Sequence, residues 1–343
     1  MSAVGASVRV ARSERPTTRW TAATSVVLVA VLAYLPYAVY SGTTDTLVNL
    51  FILLTFASMW NLLAGYAGLV SVGQQAFIGL GAYIVLYLGM HGVSPFAAIP
   101  FAAVGCAVLA LPISLLVFRL RGGYFAIATW VVADACQLLI SRSATLGSGT
   151  GAGVSGLSGY DPSLLTAYTY WAALAVTVVA LASTYFLLRS RLGLVLTGVR
   201  DNEIGARSVG ARVSLAKRLV YLASAAGCGA GGALLAVSQL SVQPNSVFSV
   251  QWSAQMIFVT VIGGIGSIEG PIIGAILFFV LQQTLAQYGT WYLMILGGVA
   301  IVVAIWMPRG IWGFVSARIH IRPFPVGYWL RREPADLTDP PMG

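Results

Sequence analysis

Runs of about 20 apolar residues, the length a helix needs to cross a bilayer, recur through this chain and leave little room for any other architecture. They lie near residues 22–40, 47–65, 72–90, 96–118, 124–141, 168–188, 217–237, 252–268, 271–288 and 291–307. Soluble domains carry about 25% charged residues; of these 343 residues 8% are charged and 58% are hydrophobic. The sequence therefore predicts an all-α polytopic membrane protein of about ten transmembrane helices. Its membrane domain, 22–308, is flanked by an N-terminal arm, 1–21, and a C-terminal tail, 309–343.

The net charge of +9 does not point to nucleic acid, because the basic residues sit in clusters between apolar runs rather than along one soluble face. Those clusters set the orientation. With ten spans and a cytoplasmic N-terminus, every basic residue except Arg142 falls on the cytoplasmic side, so both termini are expected there. Arg9, Arg12, Arg15 and Arg19 precede an apolar run longer than a signal-peptide core, with no small-x-small cleavage site after it. An uncleaved first span is expected. Cys106, Cys136 and Cys228 lie in separate apolar runs without ligand spacing and read as small, reduced core residues.

The longest polar interval, Arg189 to Arg218, holds seven of the nineteen basic residues between spans six and seven. At helical spacing Arg200, Glu203 and Arg207 share a face, and Glu203 and Arg207 form a favourable i,i+4 pair. Two readings stand: a basic loop (189–216) that only fixes topology, or an amphipathic helix on which a soluble partner docks.

Spans two and three meet in NLLAGYAGLVSVGQQAFIGLGAY, where Gly65, Gly68 and Gly73 precede the amides Gln74 and Gln75. Glycine at this density means close helix packing, or a broken helix lining a polar path. VIGGIGSIEGPIIGA repeats the pattern with Gly263 and Gly266, and at both turns half-spans are compatible with the charge distribution. Asp134 is the one carboxylate placed within a span; it is expected to face protein or water, as a pathway group or as a hydrogen-bonding partner of a neighbouring helix. The Gly- and Ser-rich interval from Ser141 to Ala167 reads as a flexible external linker.

Chemistry on this chain is narrowly bounded. A Walker A loop needs G-x-x-x-x-G-K-[ST], and Lys217, the sole lysine, is followed by Arg218 without the glycine pair. No H-E-x-x-H occurs, and His91 and His320 are far apart, so no metal site is expected.

GYAGLVSVGQQAFIGLGAY, RLRGGYFAIATWVVADACQLL, VRDNEIGARSVGARVSLAKRLVYLASAAGCGAGGALLA and FVTVIGGIGSIEGPIIGAILF together resemble, in order and spacing, the membrane subunits of branched-chain amino acid ABC importers, the LivM type. The resemblance spans about residues 47–308. It implies a non-enzymatic permease subunit in a bacterial cytoplasmic membrane, partnered by a second homologous permease, two ATP-binding subunits that hold ATP and Mg, and an external solute-binding protein. It implies no cofactor in this chain itself. The polar interval is similar to the ATPase-docking motif of such permeases at Glu203, Ala206 and Gly210, and departs from it at Ile204 and Gly205. Related importers carry other amino acids, urea or short amides. A proton-coupled carrier centred on Asp134 and a passive channel are the alternatives from other classes; flux without ATPase partners discriminates them.

Overall fold

The computed structural model describes residues 8–12, 17–38, 41–157, 161–208, 210–285, 291–307, 309–319, 324 and 328–332. In chain order, strand β1 (Val8–Arg12) precedes α1 (Thr17–Ala38) and α2 (Ser41–Asn61), which continues as a π-helical turn, Leu62–Tyr66. Then come α3 (Gln75–Met90), α4 (Pro95–Val117), α5 (Gly123–Ser141), a 3-10 turn (Ala144–Leu146) and β2 (Ala152–Gly153). Next are α6 (Pro162–Arg189), α7 (Arg191–Asp201), α8 (Glu203–Ser208), α9 (Val213–Gln239), β3 (Ser241–Val242) and α10 (Pro244–Val247). The chain ends with α11 (Val250–Gly263), α12 (Glu269–Leu285), α13 (Trp291–Trp306), α14 (Gly310–Ile319) and β4 (Tyr328–Arg332).

The architecture is all-α, and a helix occupies each of the ten apolar intervals. Among the described residues six helices are long and apolar enough to cross a membrane; 23–38, 75–90 and 269–285 are apolar but shorter. The short β pieces form two ribbons. β1 pairs antiparallel with β4, Val10 opposite Leu330, which joins the two ends of the chain. β2 pairs with β3, and the Val154 amide donates to the Leu240 carbonyl at 3.0 Å. The expected linker is thus partly folded: positive φ at Gly147, Gly149, Gly151 and Gly156 lets it turn back onto the end of α9. Residues 158–160 of that interval lie outside the described residues.

α2 and α9 are the buried pair, with 83% and 78% of their apolar windows enclosed, against 17% for the peripheral α5. Water is absent from a bilayer core, so helix association there depends on close packing, and α9 supplies it with glycines. A Cβ on Gly232 would collide with the Ile78 carbonyl of α3, one on Gly229 with Cys106 of α4, and one on Gly231 with the Phe56 ring of α2. The Ser224 hydroxyl of α9 donates to the Met59 carbonyl at 3.0 Å and to Gln74 Oε1 at 3.4 Å. Ser224 stands eleven residues along α9, roughly 16 Å at 1.5 Å per residue, so α3 starts about halfway up the bundle rather than at its edge.

Gly232→Ala is expected to lower the stability of the detergent-solubilised protein by about 1–3 kcal/mol through overpacking. Gly297→Ala on α13, where no heavy atom lies within 4 Å of the added Cβ, is the control. Equal melting temperatures for the two variants would contradict this packing.

Candidate functional site

The two glycine-rich turns of the sequence meet. Asn61, the last residue of α2 and almost fully buried, reaches across to the turn between α11 and α12. Its Oδ1 accepts from the Gly266 amide at 2.8 Å, and its Nδ2 donates to the Ser267 carbonyl at 2.8 Å. One carboxamide thereby pairs a donor and an acceptor of a backbone that has left the helix. Gly65 sits in this contact, where a Cβ would meet Asn61 and the Gly266 backbone. Gly266 needs φ of +78°, and a Cβ on Gly263 would strike the Gly270 carbonyl. One turn above, the Thr260 hydroxyl donates to the Ala57 carbonyl at 3.2 Å.

After the π turn the chain runs without helix to Gln74. Its backbone is held by side chains: Trp60 Nε1 donates to the Ser71 carbonyl at 2.8 Å, and Thr129 of α5 accepts from the Val72 amide at 3.2 Å. Gly73 packs on the Thr129 carbonyl with no space for a side chain, whereas Gly68 is exposed with φ of +68° and open space around it. Gln74 and Gln75 are fully buried; Gln75 Oε1 accepts from Ser253, and neither Nε2 group has a hydrogen-bond partner among the described residues. Gly65, Gly73, Gln74, Gln75, Gly263 and Gly266 therefore belong to one broken-helix region, and Gly68 lies at its rim.

The polar interval differs from the single amphipathic helix of the sequence reading. Asn202, with extended φ and ψ of −156° and 102°, separates α7 from α8. Its Oδ1 then caps α8 by accepting from the Gly205 amide at 2.9 Å. Arg200 thus leaves the face of Glu203 and Arg207; a Cβ on Gly266 would lie 2.5 Å from its guanidinium. Tyr66 lies within electrostatic reach of both Arg200 and Glu269. The Glu269 carboxylate, nearly buried, accepts from the Phe324 amide at 3.0 Å. On α8 the Glu203–Arg207 pair forms at 2.6 Å, and Glu203 also meets Lys217 of α9 at 2.8 Å. The Lys217 hydrogen bond is the main cause holding the Glu203 carboxyl below the ordinary carboxylate range, with Arg207 adding to it. Ala206 packs with Val199 and Val213 in a small separate core, Gly210 turns at φ of +80°, and Ile204 is 79% exposed.

Asp134 stands apart from both clusters. It lies on the exposed face of α5 with Val131 and Leu138, and no hydrogen bond or ion pair joins it to a neighbouring helix among the described residues. Among the described residues the interhelical hydrogen bond, one of the two expected roles, is not seen, because α5 turns the residue away from α3. Among the described residues no three His, Cys, Asp or Glu gather as a metal site.

The family described as the branched-chain amino acid transport system permease component matches residues 42–305, from the first turn of α2 to the last turn of α13. The chain belongs to that family. The high-affinity branched-chain amino acid transport system permease protein LivM of Escherichia coli K12 is 29% identical to it over 328 residues, 87% of this chain and 76% of the relative. LivM of Salmonella typhimurium LT2 is 27% identical over 323 residues, 86% and 75% of the two chains. No solved structure gives a significant match. This permease is a multi-pass membrane protein and a transport subunit rather than an enzyme.

Sequence reasoning found the glycines of this permease but missed Asn61 and Thr129, which fasten them, and Glu269, which accepts from the Phe324 amide. The signal available was an amide directly before a glycine-rich break in an otherwise apolar run, NLLAGYAG. Asn61→Ala leaves the Gly266 amide and the Ser267 carbonyl unpaired at about 1–3 kcal/mol each. It is expected to lower the melting temperature and to speed amide exchange at residues 264–267. Unchanged exchange there would show that Asn61 does not hold the turn.

Proposed function

We propose that this chain is the permease subunit of an ATP-binding-cassette importer that moves branched-chain or other amino acids from an external solute-binding protein into the cytoplasm. It works in a bacterial cytoplasmic membrane with a second homologous permease and two ATPase subunits, which hold ATP and Mg. It crosses the membrane ten times with both termini and the 189–216 loop in the cytoplasm. The distribution of basic residues, all but Arg142 on one side, supports that orientation.

The observation that carries the reading is the placement of α7 and α8. They form a compact outlying unit with its own core of Val199, Ala206 and Val213, presenting exposed Ile204 and Arg207 outward. From the same unit Arg200 reaches Gly266, at the junction of the two glycine turns. In this reading α8 receives the motion of an ATPase, Arg200 transmits it, and Gly65, Gly73, Gln74, Gln75, Gly263 and Gly266 form the inner closure of the solute path. Backbone that leaves helix at membrane depth is tolerated where it is buried in protein or lines a wet cavity, and this region meets that condition. Urea or a short amide is the alternative cargo. The face of α5 bearing Asp134 lies against protein or water, since a charged Asp at a helix centre in lipid costs about 2.5–3.5 kcal/mol.

Charge reversal at Glu203 or Arg207 is expected to reduce ATPase co-purification and solute uptake by roughly tenfold, the scale of 1.4 kcal/mol, with membrane insertion unchanged. Undiminished ATPase recovery with both reversed would refute the docking role.

Asp134→Asn keeps the shape and removes the titrating proton, so an ATP-driven importer retains substantial uptake whereas a proton-coupled carrier loses it. Uptake by the reconstituted complex, with and without ATP, reads the difference. An Asn variant that assembles and hydrolyses ATP normally but moves no solute would make Asp134 a transport residue.

A further inference from the structure

At the end of the bundle opposite the glycine turns, a cavity of about 410 Å³ opens between the first half of α2, the start of α11 and the end of α12. Thr46, Asn49, Gln255, Gln282 and Gln283 give it five uncharged polar side chains, and Ile52, Leu53, Trp252 and Phe279 give it an apolar wall. None of these nine carries a charge. The groove on α4 and α9 makes the contrast: Ala103, Val104, Val108, Leu111 and Leu222 line it without a polar side chain, as a surface facing lipid acyl chains requires. Of the four carboxamides on this face, Asn49 donates through Nδ2 to the Asp45 carbonyl at 3.2 Å, and those of Gln255, Gln282 and Gln283 have no such solvent. They each offer donors and an acceptor, and in a hydrocarbon environment those groups would go unmet. That face is therefore wet.

Beneath the cavity the same three helices close. Leu53, Leu54 and Ala57 of α2, Val259 of α11, and Ala275 and Phe278 of α12 form a dry cluster separate from the main core. Leu53 belongs to both the cavity wall and this cluster. One further turn down lie Thr260 on the Ala57 carbonyl and then the Asn61 clamp. The order along α2 is thus a wet vestibule, an apolar plug and the interlocked glycine turns.

We propose that this cavity is a low-affinity solute vestibule for a zwitterion with a small aliphatic side chain, held above the closed plug. The inference rests on the importer reading given above and deepens it by naming the site and the solute class. Carboxamides satisfy both ends of a zwitterion, donating to its carboxylate and accepting from its ammonium, without the fixed charge that would retain an ion. The apolar wall takes the aliphatic part. Urea has no such part and leaves that wall against water, so the vestibule discriminates against it. The volume lies within the range of small-molecule pockets.

Gln255→Cys in the purified complex of all subunits places a thiol on the vestibule wall. A small charged thiol reagent is expected to modify it, against a wild-type background whose own cysteines are Cys106, Cys136 and Cys228. About 20 mM L-leucine, twice a dissociation constant of about 10 mM, is expected to slow that modification roughly threefold, and urea at the same concentration is not. Adding Asn49→Leu and Gln282→Leu is expected to remove the protection. If Gln255→Cys does not assemble, Gln283→Cys on the exposed end of α12 reports on the same cavity. No reaction, no protection by leucine, or equal protection by urea would overturn the vestibule. Uptake is measured in parallel in vesicles with and without ATP. ATP-driven uptake without protection sinks the vestibule and spares the importer; protection without any ATP-driven uptake does the reverse.

Discussion

A backbone amide or carbonyl inside a membrane has no water to fall back on, and leaving one unpaired costs several kcal/mol. The connection from α2 to α3 runs against this constraint, since it leaves helix at Tyr66 and does not resume it until Gln75. The remaining core is arranged to meet it. Asn61 pairs the far turn, Trp60 takes the Ser71 carbonyl, and Thr129 on α5 takes the Val72 amide. Trp60 and Asn61 are neighbours at the end of α2, whereas Thr129 lies on α5 and the Gly266 turn follows α11, so the break fixes how α2, α5 and α11 sit relative to one another. It also sets the depth at which α3 begins, beside Ser224 midway along α9.

Glycine serves two separate physical ends here. On α9 it removes bulk: Gly229, Gly231 and Gly232 admit α4, α2 and α3 to backbone contact, which supplies the van der Waals packing that replaces a hydrophobic driving force in lipid. In the turn after α11 it permits a backbone: Gly264 and Gly266 take φ of +131° and +78°, and Gly266 in addition leaves room for the Arg200 guanidinium. Only the second kind marks a place where the chain can change course.

The helices were legible because apolar runs of bilayer length have few other solutions. The glycine break was legible as an alternative, since residues 62–75 mix glycine and amides where a span is expected, but its fastening was not. Asn61 and Thr129 act across 205 and 57 positions of sequence, and no local pattern announces such partners. The polar interval misled in one respect. Helical spacing put Arg200 with Glu203 and Arg207, while Asn202 prefers to cap the following helix with its own side chain, a competition that spacing alone does not register. For Asp134 the sequence left a pathway group and a hydrogen-bonding partner open, because the direction in which α5 turns it depends on which helices flank α5, and that is a tertiary fact.

The break at Asn202 also decides how force would travel on the importer reading. With one continuous helix, Arg200, Glu203 and Arg207 would all face the soluble partner and nothing would point toward the membrane. The break divides the labour: α8 turns Ile204 and Arg207 outward, and α7 ends with Arg200 over Gly266. The core of Val199, Ala206 and Val213, with the Glu203–Lys217 ion pair, ties the two short helices to each other and to α9. A displacement of α8 is therefore shared by α7 and delivered at Gly266, whose amide is one of the two groups Asn61 holds. That carboxamide makes the only direct side-chain hydrogen bonds described between α2 and the Gly266–Ser267 turn, each worth about 0.5–1.5 kcal/mol net. The dry cluster of Leu53, Ala57, Val259 and Phe278 lies on the same two helices above it. Loosening the clamp frees α11 from α2 at one end, which is the movement that would part the plug.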